Sequence, residues 1–204
     1  MKLFTRKAKS VLWPAGLLLL AGVAILLVFF SPRAVVRQAG SGGELLEHVN
    51  QLKNPDREAR LKAALALGKM GQAAESAVPR LADALEDQDP EVRAAAALAI
   101  AEIGGPLTGA AVPGLIKLLE APDHQARRAA VSALGVIGPK AKKAVPALAR
   151  LLAEKDRTLR ESLVYTLGQI GPRAEAAVPA LEKLAQEDPD LRPAISAALA
   201  KIGG

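Results

Sequence analysis

Apolar and polar positions along residues 44–204 alternate between two helical registers. After Asp89, the residues Val92, Ala96, Ile100 and Ile103 fall at i, i+4, i+8 and i+11, which is one face of a helix. Leu159, Leu163, Leu167 and Ile170 repeat that face, and so do Leu191, Ile195, Leu199 and Ile202. An aspartate precedes each run and is a natural N-cap, with Pro90 and Pro189 at the first helical position. A glycine follows each run, at Gly71, Gly104, Gly138, Gly171 and Gly203, and supplies a left-handed end. The second register opens with Ala77-Val-Pro-Arg-Leu81, Ala111-Val-Pro-Gly-Leu115, Ala144-Val-Pro-Ala-Leu148 and Ala177-Val-Pro-Ala-Leu181. These phrases predict helices of similar length to the first set. Glu44 to Lys53 supplies the first of them without the Val-Pro pair, so five helix pairs fill residues 44–204.

The period is nearly constant. The phrases Asp56-Arg57-Glu58-Ala59-Arg60, Asp89-Pro90-Glu91-Val92-Arg93, Asp123-His124-Gln125-Ala126-Arg127, Asp156-Arg157-Thr158-Leu159-Arg160 and Asp188-Pro189-Asp190-Leu191-Arg192 stand 33, 34, 33 and 32 residues apart. A fixed step of this size means stacked supersecondary units whose extended surface binds partners. The Val-Pro-to-Leu phrase, the Asp-to-Arg phrase and the terminal Ile-Gly together resemble HEAT repeats of the short type first named from phycobilisome lyases. The Thr-Pro-Leu-His phrase of ankyrin is missing, and the aromatic positions of tetratricopeptide repeats cannot be met by one Tyr and three Phe. The resemblance implies an all-α solenoid with Val-Pro helices on its convex side and Asp helices on its concave side. It also implies that the Asp and Arg columns tie neighbouring repeats together. Asp at i and Arg at i+4 can moreover pair on one helix.

Ahead of the repeats, Val11 to Phe30 is an uncharged run of 20 residues. At ~1.5 Å per residue it spans ~30 Å, the thickness of a bilayer's hydrocarbon core. It is read as a single transmembrane helix. Lys2, Arg6, Lys7 and Lys9 precede it within the basic flank 1–10, against Arg33 and Arg37 after it. This bias places the N-terminus in the cytoplasm and the repeats on the periplasmic or exterior side. The rival reading, a cleaved signal peptide, lacks a small-x-small cleavage site after Phe30. Residues 31–43, ending in Gly-Ser-Gly-Gly, read as a flexible tether that reaches ~45 Å at most.

The net charge of +6 belongs to the segment before the repeats. Residues 1–43 carry six basic and no acidic residues, whereas the repeat region sums to zero. Within it, residues 44–123 hold eight basic and thirteen acidic residues, and residues 124–160 hold nine basic and two acidic. The basic centre includes Lys140, Lys142 and Lys143, with no aromatic nearby for base stacking. Its expected target is an acidic protein patch or anionic lipid and not nucleic acid. The absence of cysteine excludes disulfides and thiolate chemistry. His48 and His124 have no partner at metal-ligand spacing, and no phosphate loop, nucleophile elbow or catalytic set can be assembled. No metal, cofactor or enzymatic activity is expected.

On the Asp helices, the positions left over by the buried face form a stripe. It comprises Lys62, Leu65 and Lys69; Ala95, Leu98 and Glu102; Arg128, Ser132 and Val136; Glu161, Tyr165 and Gln169; Ala194, Ala197 and Lys201. Leu65, Leu98, Val136 and Tyr165 would be apolar spots among polar ones, a hot-spot composition in which Arg128 and Gln169 supply polar contacts. Tyr165 could instead pack between helices with its hydroxyl in water. The sequence thus reads as a membrane-anchored scaffold or accessory subunit that takes protein partners in or at the membrane. The alternative is a lyase-like or cofactor-handling protein of the kind the resemblance includes, and a third reading, a tethered nucleic-acid binder, requires the opposite topology.

Overall fold

The computed structural model describes residues 32–204, with side chains from residue 42 onward. Residues 11–30, read above as a transmembrane helix, lie outside the described residues. Among those described, no helix is long and apolar enough to cross a membrane. Residues 44–204 form one compact unit. A helix, α1 (Pro32–Gln51), runs through the stretch expected as a flexible tether. No proline follows Pro32 before Gln51, so nothing but the glycines opposes the helix, at ~1 kcal/mol each.

The repeat unit is all α, with no strand among the described residues. The Asp helices are α2 (Arg57–Lys69), α4 (Pro90–Ile103), α6 (His124–Ile137), α8 (Arg157–Ile170) and α10 (Arg192–Gly203). The Val-Pro helices are α3 (Val78–Ala84), α5 (Val112–Leu118), α7 (Val145–Leu151) and α9 (Val178–Glu187). Three of these last have only seven residues, half the length of their partners. A 3₁₀ segment leads into each: Gly71–Ala77, Pro106–Ala111, Gly138–Ala144 and Gly171–Ala177. Proline at the second helical position fits this start, since it has no N–H to give to an α-type bond reaching back into the 3₁₀ segment, while the valine before it already holds α dihedrals (φ −51°, ψ −43° at Val78).

Asp56, Asp89, Asp123 and Asp156 cap their helices by accepting main-chain N–H bonds, for example from Glu91 and Val92 at Asp89. Asp188 does not. After a short 3₁₀ turn, Pro189–Leu191, helix α10 starts at Arg192 with Pro193 at its second position. Had the helix begun at Pro189, Pro193 would sit in its interior without an N–H to give. At the other ends, Gly104 and Gly138 take φ +60° and +61° with ψ −151° and −131°. That is not the left-handed helical region expected, but a region open to glycine alone. Gly203 remains helical, and the positive φ falls at Gly204.

The Asp helices pack side by side, α2 on α4, α4 on α6, α6 on α8 and α8 on α10. Small residues allow the approach. A Cβ placed on Gly168 would lie 3.2 Å from both the Cα and the Cβ of Ala198, and one on Gly135 would lie 2.9 Å from Thr166 Oγ1. The core between layers is leucine, isoleucine, valine and alanine, and Leu67, Ile100, Leu134 and Leu167 are fully buried in successive repeats. Burial of one such side chain stabilises the fold by roughly 1.5–3 kcal/mol.

Candidate functional site: the open face of the Asp helices

The fold sorts the Asp helices into a face sealed against the next repeat and a face left open. Six large apolar side chains are exposed among the described residues: Leu46, Leu65, Leu98, Leu107, Val136 and Tyr165. Four of them are the apolar spots of the stripe, at 43% for Leu65, 42% for Leu98, 56% for Val136 and 64% for Tyr165. Leu65, Leu98 and Tyr165 each stand five residues past the arginine of their helix, and Val136 stands nine past. Of the other stripe positions, Ala95 is buried, against expectation, because a methyl group so close to the α4 axis is covered by its neighbours. Gln169 is half-buried, and Arg128 is exposed but pairs with Asp156 at 2.9 Å.

Tyr165 does not pack between helices. Its ring forms a wall shared by two clefts. The larger, of about 650 Å³, is lined by Ser132, Gly135, Val136, Glu161, Ser162, Tyr165, Thr166 and Gln169 from α6 and α8. The smaller, of about 150 Å³, lies toward α10 and includes Gly168, Ala194, Ala197 and Lys201. Lys201 Nζ stands over the ring, 5.9 Å from its centroid, which fixes the ring by a cation–π contact. Thr166 Oγ1 donates to the Val131 carbonyl at 3.1 Å, so the cleft floor is a buried, satisfied hydrogen bond between α8 and α6. The spacing of polar residues alone did not mark Ser162 or Thr166 as cleft residues, because their role depends on the neighbouring helix.

The arginine column makes ties between repeats, as the family resemblance implies, and not the i, i+4 pairs within one helix. Four of the five aspartates already accept main-chain amides at their own helix, and three of the arginines four residues on reach across to the next repeat. Arg60 makes a two-pronged bond to Asp87, with Nε 2.7 Å and Nη2 3.0 Å from its oxygens. Arg127 meets Glu154 at 3.5 Å and Arg160 meets Asp188 at 3.2 Å. Arg93 bonds only the carbonyls of Asp87 and Gln88 in its own loop. The caps are bound across the seams as well, Asp89 by Arg57 at 2.7 Å and Asp156 by Arg128. Desolvation raises the Asp89 carboxyl, but the Val92 amide and the Arg57 guanidinium together hold it below the usual carboxylate range. Asp156 is lowered first by the Arg128 hydrogen bond and then by the Leu159 amide.

These pairs consume most of the basic centre. Arg127, Arg128, Arg150, Arg157 and Arg160 all bind acids, four of them in an adjoining repeat's loop or cap and Arg150 on Glu120. Lys140 donates to the Pro106 carbonyl at 3.0 Å. Lys142 and Lys143 are exposed on the 3₁₀ segment Gly138–Ala144. His48 lies 3.8 Å from Glu44, and His124 Nδ1 accepts from Arg127 at 2.7 Å. Among the described residues no group of three or more His, Asp or Glu is placed to hold a metal ion.

Comparison with known proteins agrees with this architecture. The family model of HEAT repeats matches residues 46–111 and 112–201. The crystal structure of an engineered protein is similar at 28% identity and a TM-score of 0.68, over 84% of this chain and 82% of that one. The complex of CpcE and CpcF of phycocyanin lyase from Nostoc sp. PCC7120 is similar at 30% identity and a TM-score of 0.63, over 76% of this chain and 63% of that one. A designed armadillo repeat protein in complex with the peptide (KR)4 shares the fold at 23% identity and a TM-score of 0.69, over 78% of this chain and 82% of that one. No curated protein matches the chain. The matched stretches run through every helix pair, and the chain belongs to the HEAT-repeat family.

Proposed function

We propose that this protein is a membrane-anchored, non-enzymatic scaffold that takes a protein partner on the open face of its Asp helices. The observation that carries the reading is the row Leu65, Leu98, Val136 and Tyr165, exposed in four consecutive repeats while the surrounding positions are polar. Scattered apolar side chains on a surface need no explanation, but three at one register of their helices and a fourth one turn further along the same face do. An aromatic side chain held rigid at the rim of a cleft contributes large contact area at low entropy cost, the usual character of a binding hot spot. Arg128 and Gln169 supply polar contacts around it, and Lys140, Lys142 and Lys143 add charge steering. The apolar run 11–30 supports a single membrane span, and its basic flank supports a cytoplasmic N-terminus with the repeats on the periplasmic or exterior side. Partners would then be membrane-embedded or membrane-associated, not nucleic acid. Protease protection in intact and permeabilised cells tests the orientation, which fails if the repeats are cleaved from the cytoplasmic side only.

One observation favours a second reading. The likeness to the phycocyanin lyase complex, together with the cleft of about 650 Å³ at Tyr165, is compatible with a cofactor-handling role. Purification of the full chain in mild detergent separates the two. A stoichiometric protein partner is the outcome for the scaffold, and a bound chromophore or metal is the outcome for the rival.

A further inference from the structure

The cations of the repeat unit divide by type. Its arginines, from Arg57 to Arg192, donate to carboxylates or main-chain carbonyls, Arg93, Arg173 and Arg192 to carbonyls alone. The unpaired cations are lysines, and only Lys142 and Lys143 are adjacent in sequence. Their surroundings are specific. Lys140 Nζ donates to the Pro106 carbonyl at 3.0 Å, beside the exposed Leu107, whose own amide donates to Glu75 Oε1 at 3.0 Å. Arg173 reaches back to the Pro139 carbonyl at 3.5 Å. Four successive 3₁₀ segments are therefore tied edge to edge by three bonds. Leu107 stands where the neighbouring segments carry the exposed Lys140 and Arg173, five residues before the Val-Pro pair, so an apolar side chain occupies a position that is exposed in every repeat. On this edge the Gly138–Ala144 segment carries three lysines and no acid, the Glu75 carboxylate is occupied by the Leu107 amide, and the one other acid, the exposed Glu175, shares its segment with Arg173.

We propose that this edge lies on an anionic lipid surface, with Lys142 and Lys143 among the headgroups and Leu107 dipping below them. Charge complementarity carries the proposal. A lysine ammonium is a compact point charge on a flexible stem, suited to a diffuse anionic surface and not to the fixed geometry of a carboxylate fork. The arginines, which suit the fork, are spent within the fold. A single exposed leucine next to the cations suits an interface that is charged above and apolar beneath. The edge is built from the 3₁₀ segments, whereas the Tyr165 clefts are lined from α6, α8 and α10. The proposal does not depend on residues 11–30 crossing the membrane.

The test is an amine-acetylation footprint of the full chain mixed with nanodiscs of phosphatidylcholine alone, or with phosphatidylglycerol added, read by mass spectrometry. Attraction of each lysine near an anionic surface corresponds to about a fivefold change in occupancy. Lys142 and Lys143 should therefore label about fivefold more slowly on the anionic discs, with the difference shrinking as salt rises, while Lys62 and Lys69 are unchanged. The double variant Lys142→Glu and Lys143→Glu, which breaks no bond within the fold, should abolish protection of Lys140 without moving the melt. Equal labelling on both discs overturns the proposal. So does protection by soluble polyglutamate but not by anionic discs, which assigns the edge to an acidic protein. Failure of the chain to associate with phosphatidylcholine discs counts against the anchor alone, since the patch is read from the contrast between lipids.

Discussion

The two faces of each Asp helix follow different rules. On the sealed face, the residues three past each column arginine are Ala63, Ala96, Ala130, Leu163 and Ile195, and those seven past are Leu67, Ile100, Leu134, Leu167 and Leu199. All are buried except Leu199, which is half-buried at the end of the array. On the open face, the residues five past are Leu65, Leu98, Ser132, Tyr165 and Ala197, and all are exposed. The sealed columns keep one chemical kind because a neighbouring helix at close range dictates volume. The open column changes from aliphatic to hydroxyl to aromatic because no neighbour constrains it. Under the proposed function a partner lying on it would constrain it instead, and the positions that break the repeat are where that partner would be read.

The contrast can be broken most forcefully on the sealed face. Leu167→Ala should cost ~2–5 kcal/mol in a melt of residues 44–204, the usual range for truncating a fully buried leucine. Gly168→Leu should cost about 1–3 kcal/mol by overpacking, because Ala198 already stands 3.2 Å from where the Cβ would be. An unchanged melt in both variants would refute the face assignment. At the seams, Arg60→Ala should lower the melting temperature more than Arg93→Ala. Only Arg60 leaves a carboxylate, that of Asp87, without its cross-repeat partner, while Arg93 gives up loop carbonyls alone. Equal losses would mean that the loop bonds, which both arginines make, account for the whole effect.

A smaller and pH-dependent effect should come from Asp156→Asn, which keeps a side-chain cap but removes the charge. The Asp156 carboxyl lies below its ordinary value in the fold. Its charge therefore stabilises the fold above the unfolded value of ~3.9, and that contribution is lost as pH falls through the lower folded value. Wild type should exceed the variant in melting temperature at neutral pH, and the two should converge in acid. A gap that persists after the carboxyl has protonated would assign the loss to the cap and not to the Arg128 pair.

Much of the repeat unit was legible in the sequence because its signals are local. Asp89 before Pro90, the 3.6-residue spacing of Val92 to Ile103 and the glycine at Gly104 each act within one turn or one helix. The stripe was readable as the complement of the buried face. Ties between repeats were implied by the family resemblance, but the partners of each arginine were not readable from spacing, because they lie 27 or 28 residues away, Arg60 with Asp87, Arg127 with Glu154 and Arg160 with Asp188. That offset is set by how repeats stack, and it shows only when the repeats are aligned at their loops. The late start of α10 was not legible from Pro189 alone, because it is Pro193, four residues on and without an N–H to give, that moves the start to Arg192. Leu107 shares its exposed position with Ala73, Lys140 and Arg173, and the register shows only when the repeats are aligned at their Val-Pro pairs. The net positive centre misled, since its arginines face acids contributed mainly by other repeats.

The measurement that tests the central claim most directly pairs stability with capture for Tyr165→Ala. Losing an exposed ring should move the melt of residues 44–204 by no more than about 0.5 kcal/mol, the range of surface substitutions. Capture of the copurifying partner by the full chain in mild detergent should weaken by more than about tenfold, the loss expected for a moderate hot spot. If the variant instead melts earlier and captures its partner at full strength, the ring is a structural wedge braced by Lys201. The open face of the Asp helices is then not where this protein binds.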